Sequence, residues 1–298
     1  MEVLREPSSA RRYVRELQHT GEKVALIPTM GALHEGHLSL VRVGRRSCGR
    51  TVATIFVNPT QFAPTEDLDQ YPRTLDEDLH HLEQEGADAV FIPEIETMYP
   101  AGCTTSIVPP RIAKSLEGEF RPEHFAGVCT IVLKLFHCLP CDTAVFGMKD
   151  YQQWRVIDTM VTDLQLPIDV LSAEIVRDPD GLAMSSRNRY LSVSERQQAL
   201  AIPWALEQVR SDVGNGSVKV DDLESKLLHH LVNGKQLLPR GSGDQETSES
   251  LGVDSVDYAR IVDARSLEPV DSIDREVVVL VACRVGSTRL IDNCVIKL

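Results

Sequence analysis

Several features that assign proteins to special classes are missing from this chain of 298 residues. No stretch approaches the roughly 18 consecutive apolar residues that a bilayer-crossing helix needs. The first residues, MEVLREPSSARRYVRELQ, lack the apolar segment between a basic start and a cleavage site that marks an export signal. These absences set the expectation of a cytoplasmic protein with no membrane partner. Basic residues are in deficit, with 31 Lys and Arg against 44 Asp and Glu and a net charge of −13. A surface of that sign repels a polyanion, so no nucleic acid partner is expected, although a single site can still be locally basic. Cysteines number seven, an odd count spread thinly, which fits reduced thiols better than a disulfide framework. No internal repeat is visible.

What is present is the composition of an ordinary globular enzyme, 42% hydrophobic and 25% charged, long enough to bury a substantial core. Short β-branched runs alternate with helical periodicity through the first two-thirds. Strands are predicted at 23–28, 51–57, 87–93, 143–146 and 168–176. Helices are predicted at 8–19 (with Ser8 or Ser9 as N-cap), 38–46, 75–85, 127–138 and 151–164. Such alternation specifies a parallel α/β sheet with right-handed crossovers. After Val176 the texture changes to helices at 194–210 and 220–232 and strands at 257–262, 276–284 and 289–296, the last two forming a hairpin. The expected fold is therefore α/β: a Rossmann-like parallel sheet domain over 1–176 and a smaller α+β domain over 177–298. Residues 239–254, Gly/Ser-rich and polar, read as a mobile loop.

Four segments carry candidate chemistry. Met30-Gly31-Ala32-Leu33-His34-Glu35-Gly36-His37 follows the first predicted strand and opens a helix. Ligands of open α/β sheets bind at the carboxyl ends of strands, and a helix N-terminus there offers free N–H groups to a phosphate. Two imidazoles three residues apart can donate to phosphoryl oxygens as charge builds on them. The alternative reading, a metal pair, lacks a nearby third ligand. Gly181–Asn188 (GLAMSSRN) combines hydroxyls, amides and an obligate cation, which suits a triphosphate. Phe146–Gln153 (FGMKDYQQ) places Lys149 as a compact positive charge and Asp150 as an acceptor for ribose hydroxyls. Phe56–Phe62 (FVNPTQF) offers Asn58 and Gln61 as neutral, bidentate groups for hydroxyl and carboxylate recognition. Each of the last three is, taken alone, as easily an ordinary turn.

Together, the ordered strings PTMGALHEGH, FVNPTQF, DLDQYPRT, RPEHFAGV, FGMKDYQQ and DGLAMSSRNRYL resemble the pantothenate synthetases (pantoate–β-alanine ligases), within the nucleotidyltransferase superfamily that shares the H-x-G-H motif. The resemblance is dense over about residues 23–191 and weaker beyond, through VDYARIVD and STRLIDN. It implies a ligase that joins pantoate to β-alanine through a pantoyl adenylate, using ATP with Mg2+. By the same resemblance, His37 is the catalytic proton donor and His34 a phosphate contact, within an ATP-binding stretch Met30–His37. Gly147, Met148, Lys149 and Asp150 hold the nucleotide, with Lys149 on the phosphates. Val176 touches adenine by its backbone, and Met184, Ser185, Ser186 and Arg187 bind the phosphates. Gln61 and Gln153 bind pantoate, and Gln61 also helps place β-alanine. Glu77 and Asp78 lie nearest the metal. The resemblance further implies a homodimer, with RPEHFAGV near its interface, and a lid function for the second domain.

Two rival readings follow from the residues. One is a related adenylyl- or cytidylyltransferase acting on a phosphorylated substrate, which would call for more cations than Asn58, Gln61 and Gln153 supply. The other is a thiol-redox protein using Cys138-Leu-Pro-Cys141. That pair is expected to be coincidental, because it ends a helix rather than opening one and has no second ligand pair nearby.

Overall fold

The computed structural model describes residues 1–63, 66–216, 218–234 and 251–297. Contacts divide the chain into two compact units, Met1–Val176 and Arg177–Leu298. The first unit runs β1 (Glu2–Leu4), α1 (Pro7–His19), β2 (Lys23–Thr29), α2 (Glu35–Cys48), β3 (Gly49–Ile55), α3 (Leu75–Gln84) and β4 (Ala89–Phe91). It continues with the short α4 (Ile95–Met98) and α5 (Glu117–Phe120), then α6 (His124–Cys138), β5 (Thr143–Gly147), α7 (Tyr151–Asp163) and β6 (Asp169–Ala173).

Its six strands are all parallel, in the order β1-β4-β3-β2-β5-β6. Because side chains alternate across a strand, each strand feeds two cores. Val24, Leu26, Val52, Ala144 and Phe146 face α1, α6 and α7. Ala25, Ile27, Ala53, Val90 and Val145 face α2 and α3. Helix α6 is apolar almost all round, as a helix wedged against a sheet must be.

The chain order reverses at β2. From β2 it winds outward through β3 to β4, then crosses back to β5 and β6, which makes the β2–β5 gap the topological switch point. The ladder there is short. Strands β2 and β5 pair only at Ala25↔Thr143 and Leu26↔Ala144. On their outer sides β2 stays paired to β3 through Thr29↔Ile55, and β5 to β6 through Gly147↔Ala173. The amino ends are pinned: Val24 N–H donates to Asp142 Oδ2 at 2.9 Å and Asp142 N–H donates to the Val24 carbonyl at 3.0 Å. The carboxyl ends are therefore released from each other while remaining tied to their outer neighbours. Pro28, which has no N–H to give a ladder, falls in this released stretch.

The second unit runs α8 (Val193–Ala199), α9 (Ala201–Gly214), α10 (Val220–Asn233), β7 (Ser255–Asp263), β8 (Val277–Val285) and β9 (Thr288–Ile296). Its strands form an antiparallel sheet, β7-β8-β9, with β8 central and almost wholly buried. Leu206 and Val209 of α9 and Leu223, Leu227 and Leu231 of α10 join its core.

The α/β reading of the sequence holds, with differences. Strand β1, three residues long, escaped the sequence reading; it pairs parallel to β4. Helix α1 begins at Pro7 with Glu6 as its cap position, so neither Ser8 nor Ser9 is the N-cap; Pro suits the first helical turn, where its missing N–H costs nothing. The helix expected over 194–210 is two helices. Pro203 cannot continue α8, because its ring would meet the carbonyl of Ala199, and the chain restarts as α9 at Ala201. Within the loop expected at 239–254, residues 239–250 lie outside the described residues. Val253 is anchored, its N–H donating to the Leu231 carbonyl at 2.9 Å.

Candidate active site

The loop after β2, expected to meet a phosphate, makes a tight double turn. Gly31 (φ 83°) and Ala32 (φ 50°) both lie in the left-handed region, which for alanine costs about 1–2 kcal/mol. That double turn delivers His34 to the N-cap of α2. The His34 ring Nδ1 accepts from Gly36 N–H at 3.2 Å, and the His37 ring Nδ1 accepts from His34 N–H at 3.4 Å. This is a capping box made by two histidines. A ring nitrogen that accepts carries no proton, so the network assigns each neutral ring its proton on Nε2. The rings lie 4.1 Å apart, centre to centre. His37 keeps some exposed surface but is crowded by protein; burial, then the charges of His34 and Lys149, push it down to about 3. His37 is thus a neutral N–H donor near neutral pH.

Glu35 faces elsewhere. Its carboxylate pairs with Arg42, which also holds Glu85 through Nε at 2.7 Å, and the Arg42 bond keeps Glu35 below the usual carboxylate range. Of Glu35, only the backbone remains for the nucleotide expected there.

Across the parted strands, β5 ends in Gly147 and a single 3-10 turn, Met148–Asp150, which leads into α7. Lys149 lies 3.9 Å from Asp150 Oδ2 and close enough to His37 to lower its basicity. The two candidate phosphate loops therefore flank the same opening. Val176 follows the end of β6 on that side of the sheet. Gln153, on the first turn of α7, is half-buried, and its amide has no partner among the described residues.

The loop after β3 is a clamp as well as a candidate substrate wall. Asn58 was expected to bind substrate, but it is 1% exposed and already committed. Its Oδ1 accepts from Tyr99 Oη at 2.8 Å and Thr60 Oγ1 at 3.0 Å, while its Nδ2 donates to Gln61 Oε1 at 3.2 Å and the Gly127 carbonyl at 3.3 Å. Its task is to shape the Pro59–Gln61 turn. Gln61 stays half-buried, its amide donating to the Met30 sulfur at 2.8 Å, so the loops after β2 and β3 meet there.

The residues behind Gln61 were not anticipated as part of the site. His124 Nδ1–H donates to the Gln61 carbonyl at 3.0 Å, and Arg121 reaches the same carbonyl at 3.3 Å while holding Glu66 with two bonds of 2.6 and 2.7 Å. Gly127 leaves room for the turn: a Cβ there would lie 2.2 Å from the Thr60 carbonyl oxygen. The segment RPEHFAGV thus seats the loop after β3. Burial, then the charge of Arg121, push His124 down to about 4. Gln152, beside Gln153, is also spent internally, bonding Glu117 N–H and the carbonyls of Ile112 and Ser115.

The expected magnesium pair does not fit a metal site. Glu77 is exposed, whereas Asp78 is 1% exposed with both oxygens accepting backbone N–H groups. Among the described residues no cluster of three acidic, histidine or cysteine side chains could hold a metal. Cys138 and Cys141 are free and buried, with burial raising both thiols, Cys141 to about 12, so neither offers a reactive thiolate. A cavity of about 600 Å³ opens at the opposite end of the sheet, by Ser47, Thr143 and Asp169, away from all these groups.

In the second unit, Met184–Arg187 lie on a well-braced loop. Arg177 pairs with buried Asp292 at 2.6 and 3.0 Å, Arg196 spans Asp178 and Asp180, and Asn188 donates to the Ala183 carbonyl at 3.0 Å. Ser185 caps the 3-10 turn that carries Ser186 and Arg187.

A parallel sheet parted at its switch point, with paired imidazoles at a helix N-terminus on one lip and a lysine on the other, is the arrangement expected of an α/β enzyme that uses a nucleotide. The comparisons narrow that class. The family model for pantoate-beta-alanine ligase matches residues 2–295. The pantothenate synthetase of Rhodopirellula baltica is 49% identical over 296 residues, covering 98% of each chain. That of Thermotoga petrophila is 41% identical, over 99% of this chain and 100% of that protein. The crystal structure of pantothenate synthetase from Thermus thermophilus superposes with a TM-score of 0.85 at 37% identity, covering 99% of both chains. The pantoate-beta-alanine ligase of Francisella tularensis, solved in complex with beta-gamma ATP and β-alanine, gives 0.73 at 27% identity, over 99% of this chain and 97% of that one. The chain belongs to the pantoate–β-alanine ligase family.

His37 and His124 are held neutral in the fold, yet in the unfolded chain they gain a proton near pH 6.5. The unfolded state therefore binds more protons below that pH, and stability falls as pH drops from about 6.5 toward 4. Thermal melts across this range should show a declining midpoint, less steep in His124→Gln. Equal slopes in the two proteins would contradict the assignment.

Proposed function

We propose that this chain condenses pantoate with β-alanine at the expense of ATP, releasing AMP and pyrophosphate. The observation that carries the reading is the parting of β2 from β5, which sets the imidazoles of His34 and His37 and the ammonium of Lys149 around one opening.

In the first step a pantoate carboxylate oxygen attacks the α-phosphorus, and the bond to the β-phosphate oxygen breaks. Charge moves onto the departing pyrophosphate. The Nε2–H groups of His34 and His37 and the charge of Lys149 are suited to stabilise it, because they are fixed before the reaction and need no reorganisation. Neutral imidazoles serve this purpose as hydrogen-bond donors, and the Nε2–H of His37 strengthens its bond to a phosphoryl oxygen as that oxygen gains charge, without giving the proton up. Backbone groups of Met30–His37 and Gly147–Asp150, with Val176 near the adenine, complete the nucleotide contacts. Met184, Ser185, Ser186 and Arg187 keep the phosphate-binding role that their motif implies.

In the second step the β-alanine nitrogen attacks the acyl carbonyl, the bond to the phosphate oxygen breaks, AMP leaves and the amine loses a proton. The step needs a correctly placed acid and exclusion of water. Gln61 and Gln153, half-buried where Asn58 and Gln152 are buried, are the side chains offered for pantoate. Magnesium accompanying ATP, a homodimeric assembly and a cytoplasmic location belong to the same proposal.

AMP release should require ATP, pantoate and β-alanine together, with pantothenate formed in equal amount. His37→Ala should lower kcat by about 100- to 1,000-fold, the usual effect of removing one fixed donor to a developing oxyanion. Folded protein that binds ATP but releases no AMP under any combination would sink the proposal. Gly127→Ala offers a separate check, because the added methyl displaces the turn carrying Gln61: KM for pantoate should rise several-fold while KM for ATP moves little. The reverse pattern would remove Gln61 from the pantoate subsite.

A further inference from the structure

The geometry points to Asp78 as a positioning residue that locks the phosphate loop through its backbone, in place of the metal ligand its sequence context suggests. This inference rests on the ligase reading above and deepens it.

Asp78 sits in the first turn of α3, where the helix dipole favours a carboxylate. Its side chain points inward and is 1% exposed. Oδ2 accepts Ala32 N–H at 2.9 Å and Oδ1 accepts Leu33 N–H at 2.8 Å, with Thr74 Oγ1 donating to Oδ1 at 3.3 Å. Charge-assisted bonds of this kind are the strong ones, and two on consecutive amides fix both the direction and the twist of the segment.

The two residues that precede and enter this grip are Gly31 and Ala32, both at positive φ. Ala32 disfavours that conformation, so some interaction must hold it there. Gly31 lies so close beneath Asp78 that a Cβ would come within 3.0 Å of Oδ2 and 3.1 Å of Ile55. The carboxylate, the glycine and the strained alanine form one unit. Its output is the placement of the next residue, His34, as N-cap of α2, and through the capping box the placement of His37. Asp78 thereby acts on the phosphate donors from behind the loop, with its oxygens facing the chain.

The same geometry explains why Asp78 makes a poor cation ligand. Both oxygens are turned to backbone amides, and Glu77, its partner in the expected pair, projects outward from the helix.

The test compares wild type with Asp78→Asn, Glu77→Gln and Thr74→Val in the full chain. An asparagine keeps the shape but turns one acceptor into a donor facing an N–H, so the loop should loosen. Hydrogen exchange at the Ala32 and Leu33 amides, measured without metal or nucleotide, should accelerate at least tenfold in Asp78→Asn and less in Thr74→Val. In AMP-release assays kcat should fall by about 10- to 100-fold in Asp78→Asn, as expected when reacting groups are misplaced by an ångström or less. The Mg2+ concentration giving half-maximal rate should stay within about twofold of wild type. Glu77→Gln should match wild type in every readout. A large rise in the half-activating Mg2+ concentration, with the rate restored at saturating Mg2+, would overturn the proposal in favour of metal ligation. Unchanged exchange at both amides in Asp78→Asn would overturn it too. Should Asp78→Asn fail to fold, Thr74→Val carries the test, and its unchanged exchange would count against the lock. If wild type releases no AMP, the ligase reading fails, while the exchange measurement still decides whether Asp78 holds the loop.

Discussion

The site depends on one constraint, the early end of the ladder between β2 and β5. The strands are pinned at their amino ends by Asp142 and released after Leu26 and Ala144. Each then stays with its outer neighbour, so the sheet opens at its switch point without losing its layers. Every first-unit segment proposed to touch a substrate leaves the carboxyl end of one of these strands or their neighbours. The loop after β2 carries the imidazoles, the loop after β3 carries Gln61, and the turn after β5 carries Lys149. A continuous ladder would close the space between them.

Around that opening the chain spends its charges inward. Asp78 grips amides, Glu35 is held by Arg42, and Glu66 is held by Arg121. For a protein with a net charge of −13, this matters. Each of these three acids is matched by a partner or a dipole, which reduces the repulsion an anion would meet at the loops. The polar side chains divide in the same way. Asn58 and Gln152 are consumed in shaping loops, whereas their neighbours Gln61 and Gln153 keep exposed surface.

Much of this was legible in the sequence. Alternating apolar runs and helical periodicity specify the parallel sheet, and glycine with two histidines after the first apolar run marks a strand-to-helix turn. Six ordered motifs carry the family. What escaped was long-range. A three-residue strand such as β1 has no periodicity to read; its pairing with β4 defines it. Asn58 and Gln61 look alike in sequence, and only the fold, which buries Asn58 against Tyr99 and Gly127 from distant segments, separates them. Asp76, Glu77 and Asp78 form an acidic run in which nothing local says which one turns inward. The positive φ at Ala32 left no trace either, since alanine carries no turn signal. Pro203, by contrast, was a readable break that the helical periodicity around it concealed.

The nucleotide is proposed to bind at the parted β2–β5 edge. Hydrogen exchange measured with and without ATP tests it most directly. Exchange should slow at residues 30–37 and 147–150 when ATP is added, with the amino-end segment around 142–144 unchanged. Protection confined to other segments, such as the cavity by Ser47, Thr143 and Asp169, would contradict the account.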